Sequence, residues 1–124
     1  LLELVDLKNI NLDFIENISD KNMIQNVLNN DLMKLARNSD SIYQEYGYYD
    51  ELYQTNGFID LLFIKDGEYY IVDYKYKHTD DDDYVNQLHT YQRNVMNIFN
   101  VDKAHIHLYL ISIKNNEIHE VEAY

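Results

Sequence analysis

The sequence is organised around one β-hairpin, which is predicted over Gly57–Lys77. Two apolar runs, Phe58–Ile64 and Tyr69–Tyr76, flank the pair Asp66-Gly67. Asp-Gly between two such runs is the strongest short-range signal for a hairpin with a two-residue turn, because both turn positions need a positive φ. Since a turn of that length fixes the pairing of the strands, it also predicts which side chains face one another.

The predicted register places two carboxylates opposite each other. If Lys65 pairs with Glu68, Asp60 lies directly across from Asp73. Cross-strand Cβ atoms are about 4.5–5.5 Å apart, and like charges in that position destabilise a sheet. Lys75 follows two residues after Asp73 and shares its face. We therefore predict a divalent cation between the carboxylates; a buried Asp–Lys ion pair, with the other acid at a solvated strand end, explains the pattern equally well.

Length and composition limit the class of protein. A chain of 124 residues is expected to form one domain. The absence of cysteine excludes disulfides, zinc–thiolate sites and iron–sulfur clusters within the chain. No apolar run approaches the roughly 20 residues that span a bilayer, and the sequence does not open on a signal segment, so we expect a cytoplasmic protein without a membrane partner.

The net charge argues against tight binding of nucleic acid by this domain alone. The chain has 22 acidic residues against 10 lysines and arginines, which gives a formal charge of −12. Proteins that bind phosphate backbones usually carry a basic patch. A bound metal ion would supply positive charge locally, and a larger parent protein would hold the DNA elsewhere.

Hydrophobic periodicity predicts a single α/β domain. We expect a short helix and a loop before residue 19, and a solvated acidic loop at 78–83. His105 and His107 share a strand face, and we interpret them as surface or cross-strand residues rather than as a metal pair. The other predicted elements are a helix from Ser19 to Ala36, a strand over Ile42–Tyr53 interrupted near Gly47, the central hairpin, a helix from Tyr84 to Asn100, and a second hairpin of Ala104–Lys114 and Glu117–Glu122 around Asn115-Asn116.

Three motifs in this order resemble a known group of enzymes. They are Gly57-Phe58-Ile59-Asp60, Val72-Asp73-Tyr74-Lys75 and Gln87-Leu88-His89-Thr90-Tyr91, followed by a strand–turn–strand pattern. Together they resemble the PD-(D/E)XK nuclease superfamily, and within it the RecB-like exonuclease domain at the C-terminus of AddA-type helicase–nucleases. The resemblance covers roughly residues 40–122, and each motif alone would be a weak signal.

The resemblance implies a fold and a chemistry. The fold would be a restriction-endonuclease-like core, a mixed β-sheet flanked by helices in the order α-β-β-β-α-β-β. The activity would be that of a Mg²⁺- or Mn²⁺-dependent DNA exonuclease. Asp60, Asp73 and the backbone carbonyl of Tyr74 would be metal ligands, and Lys75 would be the catalytic lysine.

Three further residues acquire roles from the same resemblance. Gln87, as a catalytic residue, and Tyr91 would line the active site and contact DNA or a water molecule. Glu45 resembles the glutamate that precedes the G-x-I-D strand, which would make it an additional metal ligand; an ordinary acid at a strand end is an equally good interpretation. The family usually has an upstream histidine ligand, and no histidine precedes His78 here.

The resemblance also implies a larger setting. Residues 1–124 would be a single nuclease domain, a C-terminal fragment of a helicase–nuclease of double-strand break repair and recombination, with a second subunit as partner. Two alternatives stay open: a stand-alone phage- or restriction-type nuclease, and a catalytically inactive nuclease-fold scaffold. The missing histidine favours the scaffold, whereas the set of Asp60, Asp73, Lys75 and Gln87 favours an enzyme.

Overall fold

The computed structural model describes residues 1–77, 79 and 81–124; His78 and Asp80, two positions of the predicted acidic loop, lie outside the described residues. Over the described part, the chain forms three α-helices and five β-strands, with short 3-10 turns at Leu2–Leu4 and Lys103–His105. In chain order the elements are α1 (Ile18–Leu28), α2 (Asp31–Arg37), β1 (Ser41–Asp50), β2 (Thr55–Lys65), β3 (Glu68–Lys75), α3 (Asp82–Phe99), β4 (Ile106–Ser112) and β5 (Glu117–Val121).

The five strands form one mixed sheet in the order β1-β2-β3-β4-β5. Neighbouring strands are antiparallel except β3 and β4, which are parallel. A parallel pair needs a crossover connection, and α3 provides it. The prediction of an α/β domain with a mixed sheet and flanking helices is therefore confirmed.

Each face of the sheet is covered by helices and has its own core. The first helices and the N-terminal segment pack on one face, and α3 packs on the other. Burial on both faces explains why the central strands are apolar almost throughout. The first core includes Leu2, Leu12, Ile24, Leu28, Met33, Leu61, Phe63 and Val72, and the second includes Leu62, Ile71, Leu88, Tyr91, Val95, Leu108 and Leu110.

The helix that was predicted as continuous from Ser19 to Ala36 is two helices. The first ends with Asn29 as its C-cap, and Asn30 is the N-cap of the second. The Asn30 side chain accepts a hydrogen bond of 2.8 Å from the backbone N–H of Met33. Asparagine side chains compete with the helix backbone in this way, so the break is a local effect that the apolar periodicity does not reveal.

The central hairpin has the predicted turn and register. Asp66 and Gly67 have φ values of 52° and 77°, as the two-residue turn requires. Lys65 pairs with Glu68, and the ladder continues regularly to Leu61 paired with Val72. The second hairpin was predicted less well, because Ser112 pairs with Glu117 and the turn contains four residues instead of two.

The ladder between β1 and β2 is interrupted where Glu45 faces Asp60. The pairs on either side, Gln44–Leu61 and Tyr46–Ile59, keep the same register. The regular pairing therefore omits one residue of each strand, and the two omitted residues face each other. Glu45 has a φ of 51°, which lies in the left-handed region. The predicted interruption near Gly47 is thus present, and it falls two residues before that glycine, at Glu45.

This interruption changes which side chains share a face of the sheet. In β2, Ile59 and Leu62 both pack on the α3 side, although strict alternation would place them on opposite faces. In β1, Tyr43 and Tyr46 do the same. The alternation of side chains between the two faces therefore shifts at the level of Glu45 and Asp60 in both strands at once. Irregularities of this kind are frequent beside active sites, since they redirect a side chain.

Candidate active site

Asp60 and Asp73 lie close together at one end of the β2–β3 hairpin. Asp73 is buried, with 2% of its surface exposed, and Asp60 is half-buried. The regular pairing of β2 with β3 ends at Leu61 and Val72. Beyond that pair, the Asp60 carboxylate accepts a hydrogen bond of 2.8 Å from the backbone N–H of Tyr74. The two acids thus come together as predicted, but Asp60 contacts the strand one residue further along than a regular ladder would require.

The surroundings of Asp60 oppose its ionisation. Burial is the largest effect, the hydrogen bond from Tyr74 acts in the opposite direction, and the charges of Asp73 and Glu45 raise the pKa further. Together they raise the pKa of Asp60 from 3.8 to about 7. A bound cation would stabilise the charged form of such a carboxyl group.

Lys75 connects the acids to α3. Its Nζ atom lies 2.8 Å from Oδ2 of Asp73 and donates a hydrogen bond of 2.9 Å to Oε1 of Gln87. The same ammonium group lies 4.3 Å from the centre of the Tyr84 ring, which is a cation–π contact. The predicted proximity of Lys75, Asp73 and Gln87 is present in the structure, whereas Tyr84 was not anticipated because a tyrosine at a helix start carries no distinctive signal.

The buried Asp73 carboxylate is paired with Lys75. Its Oδ2 atom lies 2.8 Å from the Lys75 ammonium group, and it has no further hydrogen-bond partner among the described residues. A carboxylate oxygen accepts more than one partner, so this atom is also of the type that a hard cation binds.

Tyr91 lies one helical turn after Gln87 and is buried, with 3% of its surface exposed. Its ring packs edge-to-face on Tyr48, at 5.8 Å between ring centres. Burial, followed by the charges of Asp73 and Asp60, raises the pKa of its hydroxyl group. Tyr48 in turn covers Gly57, where an added Cβ atom would overlap the Tyr48 ring. The glycine of the G-x-I-D motif therefore makes room for an aromatic pair behind the site.

Tyr74 and Glu45 complete the set of predicted site residues. Tyr74 lies between Asp73 and Lys75 in β3, with its side chain packed against the core formed by α1 and α2. Its hydroxyl group is buried and has no hydrogen-bond partner within the part of the chain that the structure describes, and burial raises the pKa of that group. Glu45 is exposed and contributes its charge to the surroundings of Asp60 from the rim of the site.

Few side chains near Asp60 and Asp73 in the described part of the chain are of a type that ligates a metal ion. Within residues 1–77, 79 and 81–124, no group of three or more histidine, aspartate or glutamate side chains is arranged to hold a metal ion. Two carboxylates are nevertheless a sufficient protein contribution for Mg²⁺, which usually retains several water ligands. The pair of Asp60 and Asp73 therefore fits a hydrated divalent cation.

Two polar clusters outside the site were not anticipated. Asp50, which is 1% exposed, accepts hydrogen bonds from Arg93, from Asn94 and from the backbone N–H groups of Leu52 and Tyr53. Burial raises the pKa of Asp50, but these hydrogen bonds outweigh it and hold the pKa below its usual value. Asp50 and Arg93 are more than 40 positions apart in the chain, so no local sequence pattern predicts their contact.

The second cluster joins β3 to β4. Glu68 is contacted by both histidines that were interpreted as surface or cross-strand residues: Nδ1 of His105 lies 2.6 Å from one carboxylate oxygen, and Nε2 of His107 lies 2.9 Å from the other. These two contacts, with that of His107 the larger, lower the pKa of Glu68. Both histidine side chains are thus bound to a carboxylate of the neighbouring strand β3.

Comparison with models of protein families finds no match to the chain. Comparison with curated proteins also finds none. Among the described residues, no helix is both long and apolar enough to cross a membrane.

Proposed function

We propose that this chain is a metal-dependent deoxyribonuclease domain that hydrolyses phosphodiester bonds. The observation that carries the proposal is the convergence of Asp60, Asp73, Lys75 and Gln87 from two strands and one helix at a single point. Two carboxylates for a hard cation and one ammonium group beside them are the groups that hydrolysis of a phosphodiester requires. In this proposal the sheet and helices are a restriction-endonuclease-like core.

The cation would be Mg²⁺ or Mn²⁺, held by Asp60 and Asp73. The raised pKa of Asp60 supports this assignment, because a bound cation would stabilise the charged form of Asp60, and the Asp73 carboxylate beside it offers a second oxygen ligand. When bound, such an ion lowers the pKa of a coordinated water molecule and offsets charge on the phosphate. The Tyr74 carbonyl is a further ligand in the proposal, and Glu45 would act from the rim.

The protein side chains would orient the reacting groups. Lys75 is fixed by Asp73 on one side and Gln87 on the other, so its ammonium group has a defined position before substrate arrives. From there it would donate hydrogen bonds to the attacking water or to a phosphate oxygen as negative charge develops. Gln87 would hold Lys75 in place, and Tyr91 would support the helix face behind both residues.

The larger setting is also proposed. The motif order supports a RecB/AddA-type exonuclease domain that works within a helicase–nuclease in the cytoplasm, on DNA ends during double-strand break repair and recombination. The strongly acidic composition fits such an arrangement, since DNA would be held mainly by the remainder of the parent protein or by a second subunit.

A non-catalytic scaffold is the second candidate. It is favoured by the net charge of −12 and by the small number of metal-ligating side chains around Asp60 and Asp73 among the described residues. A scaffold would not need a lysine fixed between Asp73 and Gln87, and this feature favours the enzyme.

Incubation with linear and covalently closed circular DNA tests the proposal. We expect digestion of the linear DNA in Mg²⁺ or Mn²⁺, none in EDTA, and little attack on the circle, because an exonuclease needs an end. Digestion of the circle at a similar rate would indicate the restriction-type alternative. Intact linear DNA in the presence of either metal would contradict a nuclease function for the chain.

A further inference from the structure

The Lys75 ammonium group has three neighbours, and one of them is an aromatic ring. Oδ2 of Asp73 lies 2.8 Å from Nζ as an ion-pair partner, and Oε1 of Gln87 accepts a hydrogen bond of 2.9 Å. The centre of the Tyr84 ring lies 4.3 Å from the same nitrogen atom. Because the Lys75 side chain is only 20% exposed, these groups replace most of the water around it. Tyr84 is the neighbour that has no role in the proposed hydrolysis.

Tyr84 is itself fixed by its place in the first turn of α3. Its backbone N–H donates a hydrogen bond of 3.0 Å to the carbonyl of Asp81, which is the N-cap of the helix. Its half-buried side chain packs against the core between α3 and the sheet. Because Gln87 follows three residues later, the two side chains lie on one face of the helix. The start of α3 therefore brings a ring and an amide to Lys75 together.

The Tyr84 ring face attracts the ammonium group without carrying a negative charge. A lysine side chain is flexible and ends in a compact charge, so its position depends on its contacts. If Asp73 shares its charge with a cation, as proposed, its attraction for Lys75 weakens. The attraction of the ring face for the ammonium group does not depend on Asp73. Asp83 is exposed and lines the same depression as Lys75, where it is a competing carboxylate outside the candidate site.

We infer that Tyr84 is a positioning residue for Lys75, whose ring face keeps the ammonium group within the candidate site and away from Asp83. The effect on catalysis rests on the proposed function, since it concerns the lysine of the same site. The effect on the position of Lys75 is measured without metal and without DNA. The attraction comes from the aromatic ring, so the ring is required and the phenolic hydroxyl group is not.

Competitive acetylation of the lysines tests the position of Lys75. The protein is treated briefly with acetic anhydride in EDTA at constant pH, and mass spectrometry of its peptides gives the labelling rate of each lysine. Lys77 is exposed and serves as the reference within the same chain. We expect Tyr84→Leu to raise the labelling rate of Lys75 relative to Lys77 about fivefold, because the contact with the ring is lost. Tyr84→Phe keeps the ring and should stay within about twofold of the original chain.

Tyr53→Leu is the matched control, because Tyr53 lines the same depression but its ring lies 5.4 Å from the Arg93 guanidinium group. It removes an exposed ring from that depression and should leave the labelling of Lys75 unchanged. Equal labelling of Lys75 in Tyr84→Leu and in the original chain would overturn the inference, as would an equal rise in Tyr84→Phe. Circular dichroism checks the fold of each variant, and Tyr84→Met takes the place of Tyr84→Leu if the latter does not fold.

The digestion of linear DNA is read separately. Tyr84→Leu should lower kcat about tenfold and leave KM within about twofold, because Lys75 acts on the reacting groups and not on the binding of DNA. Tyr84→Phe should digest DNA at the original rate. Faster labelling of Lys75 with an unchanged kcat would overturn the role of Tyr84 in the reaction. Ring-dependent labelling in a chain that digests no DNA rejects only the nuclease, and digestion with labelling independent of the ring rejects only the inference.

Discussion

Replacing Lys75 by alanine is expected to lower the rate of Mg²⁺-dependent digestion of linear DNA by about 10²- to 10³-fold. The ammonium group is fixed between Asp73 and Gln87, so its loss removes a preorganised donor rather than a mobile surface charge. Asp73→Ala should have a still larger effect and reduce digestion below detection, because it removes the more deeply buried of the two proposed ligands. The time course of linear DNA digestion measures both variants.

Lys77→Ala provides the control for this experiment. Lys77 is exposed and lies two residues after Lys75, so the substitution removes the same charge from the same region without touching the site. It should digest DNA at the original rate, and all three variants should give the circular dichroism spectrum of the original fold. Undiminished digestion by Lys75→Ala or Asp73→Ala would rule out the assigned site.

Without metal, the free energy of unfolding should fall between about pH 4 and pH 7, and Asp60→Asn should largely abolish that fall. A pKa raised from 3.8 in the unfolded chain to about 7 in the fold means that the folded state binds the additional proton over this range. Folding is therefore progressively disfavoured as pH rises, and the full cost is present above pH 7. The pKa change corresponds to about 4 kcal/mol, which solvent screening of the half-exposed side chain reduces to about 1–2 kcal/mol.

Urea unfolding at a series of pH values in EDTA measures this effect. Asp60→Asn should be more stable than the original chain by about 1–2 kcal/mol at pH 8 and equally stable near pH 4. Asp66→Asn, which removes an exposed carboxylate from the turn of the same hairpin, should retain the fall. A less stable Asp60→Asn variant at pH 8 would show that the Asp60 charge is already compensated without a metal ion.

The features that could be predicted from the sequence depend on residues close together in the chain. The turn at Asp66-Gly67 fixes the hairpin register by local geometry, and the register in turn brings Asp60 near Asp73. Strand parity and helical spacing then place Lys75 and Gln87 together. These relations involve short segments, and each has a physical rule of its own.

Other features depend on elements that are distant in the chain. The interruption at Glu45 and Asp60 omits one residue of each strand from the regular pairing. The sequence of either strand alone does not predict it. The buried contact of Asp50 with Arg93 joins a strand end to the middle of a helix. The break at Asn29 and Asn30 is local, but it is decided by capping and not by apolar periodicity.

Calorimetric titration with Mn²⁺ near pH 7.5 tests most directly whether Asp60 and Asp73 form a metal site. We predict binding of one ion or more per chain, which Asp60→Asn and Asp73→Ala each weaken at least about tenfold. Asp66→Asn should bind as the original chain does. No binding of Mn²⁺, or binding that neither substitution at Asp60 or Asp73 changes, would contradict the metal site and favour a scaffold without catalytic activity.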